Sequence, residues 1–109
     1  MPNAITPIAS AQETKPVPTV FSLETALLTL RDQSEIERFL FDLCTPTEIA
    51  SFRERWTIAQ LLEQGKTYRD VAGQTGASTA TVTRVARFLQ HERHCGYRLA
   101  LDRLREKNQ

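Results

Sequence analysis

Two cysteines in 109 residues, Cys44 and Cys95, stand far apart and without framework spacing. That scarcity excludes a small fold stapled by disulfides and fits a reducing, cytoplasmic setting. The four glycines are scattered, so no glycine-rich loop is present to cradle a nucleotide phosphate. No stretch approaches the roughly 18 consecutive apolar residues of a membrane span. The first twenty residues lack the basic-then-apolar order of a secretory signal. Strand-like alternation and hairpin dipeptides are missing, which argues against a sheet. There is no paired-carboxylate or Ser/His/Asp set either, so neither enzymatic chemistry nor a cofactor is expected.

What charge there is lies unevenly. The net charge of +1 hides a front part, residues 1–45, with three basic and six acidic side chains, and a remainder with eleven basic and seven acidic. The C-terminal part therefore favours an anionic partner.

Four of the five prolines fall within residues 1–20, among Ala, Thr, Ser, Asn and Gln. Such a stretch has no apolar period to bury and reads as a disordered arm. One helical domain is expected over residues 21–109. Ser22 caps a first helix carrying Leu23, Ala26, Leu27 and Leu30. Ser34 opens a second, with Ile36, Phe39, Leu40 and Leu43 on one stripe. Thr45 followed by Pro46, with Glu48 close behind, starts a third that runs to about Gln64 before Gly65. Thr67 caps a fourth helix through Thr75, Ser78 a fifth to about Gln90, and a sixth spans Gly96 to Lys107. The front three helices are apolar on more than one side, an excess that a second copy of the chain would cover better than a monomeric bundle.

The segment from Lys66 to Val85 meets the requirements of a helix-turn-helix together. Ala72 and Gly73 are small where the second helix must cross the first, and Gly76 takes the positive φ of the turn. Val71, Val82 and Val85 are spaced to fix the crossing. Thr79, Ala80, Thr81, Thr83 and Arg84 bring methyls, hydroxyls and a guanidinium suited to base edges in the major groove. The amides after Ser78 form an anion site at a helix N-terminus. Lys66, Thr67 and Tyr68 suit phosphate contacts, and Arg69 a base or the backbone. The partner expected is double-stranded DNA.

These residues bring out a resemblance. Leu43-Cys44-Thr45-Pro46 with Glu48, then Arg55, the Gly65-Lys66-Thr67-Tyr68 break, the run Thr75 to Arg84, and Gly96 to Leu104 resemble the Trp repressor superfamily, in particular its YerC/YecD branch. The likeness spans about Leu23 to Leu104. It implies an intertwined homodimer in which each fifth helix meets one half-site, the docking for which that repressor is itself a standard example. It also implies an effector pocket. In the founding member two arginines flank the indole of bound tryptophan and a threonine holds its carboxylate, positions that match Arg55, Arg84 and Thr45. Where that protein has a glycine and a serine, this chain has Val85 and Phe88, which fill space and remove a polar partner for an ammonium group. No tryptophan binding is therefore expected, and Arg55 and Arg84 are free for phosphate or for pairing with Glu48 or Glu54.

Other groupings are weaker. His91, His94 and Cys95 lack the further ligand of a zinc site, so no metal is expected. Cys44, Phe52 and Trp56 lie on helical spacing and read as core. The competing function is a protein-interaction adaptor built on the same scaffold.

Overall fold

The computed structural model describes residues 19–91 and 94–108. All but the last two positions of the expected arm lie outside the described residues. The described chain forms six helices and no strand, as the all-α reading expects: α1 Leu23–Leu28, α2 Gln33–Leu43, α3 Pro46–Glu63, α4 Tyr68–Thr75, α5 Thr79–Gln90 and α6 Gly96–Lys107. The chain divides into two compact units between α2 and α3.

The first unit holds α1 and α2. Ser22 caps α1 as expected, its Oγ accepting the Thr25 amide at 3.1 Å. The helix ends at Leu28, short of Leu30, where the Thr29 hydroxyl donates to the Ala26 carbonyl at 2.6 Å. The cap of α2 is Asp32 and not Ser34. The Asp32 carboxylate accepts the Glu35 amide at 2.9 Å, and Glu35 reaches back to the Arg31 amide at 2.8 Å. A carboxylate and hydroxyl two residues apart compete for the same role, and the reciprocal pair through Glu35 decides it. Neither helix contains a buried residue. Leu28 is 86% exposed, Phe41 56% and Leu43 54%.

The second unit, α3 to α6, carries the core. Thr45 caps α3 through a complete capping box with Glu48. The helix ends at Glu63, after which Gly65 turns the chain at φ +90°. Ile58 and Ala59 of α3 pack with Val71 of α4 and with Val82 and Val85 of α5, all five essentially without solvent contact. Burying each of the larger four contributes about 1.5–3 kcal/mol. Trp56, Leu61, Leu62, Ala72, Ala77 and Tyr97 close around this cluster. Phe52, expected in the core, is instead 46% exposed.

Two ties bind α6 to α3. The rings of Trp56 and Tyr97 stack with centroids 6.4 Å apart. Glu63 receives both Nη atoms of Arg98 at 2.8 Å, a forked pair that Asp102 and Arg105 extend into a four-residue network. Bonding to Arg98 holds the Glu63 carboxyl below its ordinary range.

Candidate nucleic-acid interface

The turn between α4 and α5 is built from its own side chains. Gly76 adopts φ +77°, a left-handed conformation that a Cβ would strain, and its amide donates to the Ala72 carbonyl at 2.9 Å. Thr75, absent from the sequence-derived site, secures the corner. Its hydroxyl donates to the Val71 carbonyl at 2.7 Å and accepts the Ala77 amide at 3.2 Å. Ala77 tucks against the core, and Ser78 leaves in extended backbone to start α5. Of the two small residues of α4, Ala72 is the one packed against the core. Gly73, offered with it by the sequence, is exposed, and a Cβ there would meet nothing within 4 Å.

Helix α5 is fixed on one side and open on the other. Val82, Val85, Ala86 and Leu89 are buried, while Thr79, Ala80, Thr83, Arg84 and Arg87 are exposed. At 3.6 residues per turn, Ala80, Thr83, Arg84 and Arg87 lie opposite the buried side. Arg87 continues the stripe of Thr83 and Arg84 by one turn, a signal that the helical period alone contained. Ser78 and Thr81 serve the start of the helix. Ser78 Oγ accepts the Thr81 amide at 3.1 Å and lies 3.0 Å from the Thr81 hydroxyl, and Thr81 is half-buried. The Thr79 and Ala80 amides have no hydrogen bond among the described residues, leaving two donors at the positive end of α5.

On α4, Thr67 caps the helix by accepting the Asp70 amide at 3.1 Å. Lys66, Thr67, Tyr68 and Arg69 are all exposed. Among the described residues, Lys66, Arg69, Arg84 and Arg87 have no carboxylate partner, whereas Arg98 and Arg105 are held by Glu63 and Asp102. From Val71 to His91 the sequence contains no acidic residue. Among the described residues, four cations without a carboxylate partner thus lie on the helix-turn-helix, and Arg55 of α3 and Arg103 and Lys107 of α6 are likewise unpaired by carboxylates.

Four of the five expected effector-pocket residues meet in one cleft. Arg55, Arg84, Val85 and Phe88 line it together with His94, Gly96 and Tyr97. Thr45 is not in its lining, and its hydroxyl accepts the Glu48 amide at 3.1 Å in the cap of α3. The arginines sit over aromatic rings and not beside carboxylates. Arg84 lies 5.0 Å from the centre of the Phe88 ring, and Arg55 lies 5.3 Å from that of Phe52. Of the two carboxylates offered to these arginines, Glu48 instead accepts the Thr45 amide to complete the capping box, and no ion pair joins either arginine to Glu54 among the described residues. Among the described residues no group of three or more His, Cys, Asp or Glu could hold a metal ion, and no helix is long and apolar enough to cross a membrane.

Comparison with known proteins gives this geometry a lineage. The family model for Trp repressor protein matches residues 19–105. The Bacillus subtilis protein YerC, itself uncharacterised, is 44% identical over 81 residues, covering 74% of this chain and 77% of its own length. The crystal structure of a TrpR-like protein from Eubacterium eligens superposes with a TM-score of 0.70 at 43% identity, covering 75% of this chain and 84% of that one. A candidate Trp repressor from Staphylococcus aureus gives 0.71 at 42%, covering 76% and 82%. The matched range takes in all of α1 to α5 and most of α6, and the chain belongs to the Trp repressor family.

Proposed function

We propose that this protein is a sequence-specific DNA-binding transcriptional regulator, a repressor by type, that acts as a homodimer in the cytoplasm and reads the major groove with α5. One observation carries the reading. The first turn of α5 is pinned from behind by Val82 and Val85 while Thr79, Ala80 and Thr83 are exposed, as is Arg84 with its guanidinium over the Phe88 ring. A helix held at its back and open at its N-terminal front, free of carboxylates and flanked by Lys66 and Arg69, has the shape and charge to enter a groove.

The dimer rests on the first unit. No residue of α1 or α2 is fully buried within one chain, and a six-residue helix does not hold itself together in water. A second copy would cover the exposed Leu23, Leu27 and Leu43.

Tryptophan is not its effector. Val85 is fully buried in the cleft floor and Phe88 stacks beneath Arg84, so apolar side chains occupy the place where an ammonium group needs a polar partner. Val85 and Phe88 then occupy the effector's place and hold the reading heads in a binding-competent pose without tryptophan.

Selection of bound fragments from random duplex DNA tests the function. The dimer should enrich a palindrome with half-sites about one helical turn apart. Its affinity should fall by orders of magnitude between about 50 and 200 mM salt. A protein-interaction adaptor would bind no duplex at either concentration. Micromolar binding of L-tryptophan by calorimetry would overturn the effector-independent reading.

A further inference from the structure

We infer that the DNA contact does not end with the first turns of α5 but extends to Arg87, which anchors the far end of the helix on a phosphate. The inference rests on the DNA-binding reading and adds a contact that neither the motif nor the first-turn chemistry requires.

Three observations converge on this residue. Arg87 is exposed, and it lies three residues beyond Arg84 and four beyond Thr83, on the same outward stripe. It has no carboxylate partner among the described residues, although this chain ties Arg98 and Arg105 into a network with Glu63 and Asp102. The neighbouring Arg84 has its guanidinium over the Phe88 ring, so of the two arginines on the stripe Arg87 is the one without an aromatic support.

A helix that enters the groove by its N-terminal turn brings its later turns toward the groove's rim, where phosphates and not base edges are in reach. Arg84 and Arg87 therefore differ in task. The stacked Arg84 is held in one pose, as base discrimination requires, while the freer Arg87 can follow a phosphate whatever the sequence beside it.

The bland alternative is that Arg87 only favours the negative end of α5, where it is the basic residue of the last turn. Arg87→Ala, Arg87→Lys and, as a control for net charge, Arg103→Ala on α6 separate the two. Each full-length variant is measured on the selected palindrome and on a random duplex across a salt series, alongside thermal unfolding.

Arg87→Ala should weaken both duplexes alike, by about five- to tenfold near 0.1 M salt. It should also reduce the slope of log affinity against log salt by about 0.9 for each phosphate that is no longer neutralised. Arg87→Lys keeps the charge and should retain most of the slope, and Arg103→Ala should match the parent. An unchanged slope in Arg87→Ala, with or without a lower melting temperature, overturns the inference while leaving the DNA-binding reading intact. So does an altered base preference in that variant, or an equal loss in Arg103→Ala. A parent protein that binds no duplex takes both down.

Discussion

The two halves of this chain use apolar residues for opposite ends. In α3 to α5, Ile58, Val71, Val82 and Val85 lie fully buried within a single copy. In α1 and α2, Leu27, Ile36, Phe41 and Leu43 are equally apolar, yet all remain exposed. Hydrophobicity alone does not distinguish the groups. The first packs against other parts of the same chain, and the second is left facing outward. One unit is a finished platform for α5, and the other presents the apolar surface on which the proposed pairing rests.

Matched substitutions break that comparison most strongly. Ile58→Ala should destabilise by about 2–5 kcal/mol, since it empties a closed site, and chemical denaturation followed by circular dichroism would register it. Phe41→Asp should leave the packing around Ile58 intact but convert the dimer into a monomer in sedimentation equilibrium. If Phe41→Asp remains dimeric at the parent's concentrations, the exposed apolar side chains of α1 and α2 are not the interface.

A smaller effect sharpens the contrast within the helix-turn-helix. Gly73 occupies a helix interior with open space around it and no positive φ. Gly73→Ala should therefore raise stability by up to about 1 kcal/mol, whereas Gly76→Ala, at φ +77°, should lower it. Thermal unfolding of the two variants gives the signs directly.

The smallest effect concerns the tie of α6. Bonding to Arg98 places the folded Glu63 carboxyl below its unfolded pKa. Its contribution is accordingly complete above the unfolded value of about 4.3 and is lost as pH falls through the folded one. Glu63→Gln should flatten the acid side of the stability profile and leave its neutral-to-alkaline shape alone.

Much of the platform was legible because its signals are local. Thr45, Thr67 and Ser78 each hold an amide three residues on, and Gly76 takes the conformation its lack of Cβ permits. Legibility failed where a choice depended on distance. Asp32 and Ser34 are both good caps, and only the reach of Glu35 to Arg31 separates them. Smallness at Ala72 and Gly73 says that a neighbour can come close, not which of two positions about 100° apart it approaches. The resemblance groups Thr45 with Arg55 and Arg84, yet the Thr45 hydroxyl serves the cap of α3 and lies outside the cleft that the two arginines line. The network that ties down Arg98 and Arg105 joins positions 35 and 42 residues from Glu63, beyond any local pattern.

On the proposed reading the open turn of α5 touches base-pair edges while the α4 entry touches the backbone. Affinities of Thr83→Ala and Lys66→Ala for the selected palindrome and for a random duplex test it most directly. Thr83→Ala should shrink the ratio between the two duplexes, and Lys66→Ala should weaken both and leave the ratio unchanged. Equal losses on both duplexes for both variants would contradict base reading by α5.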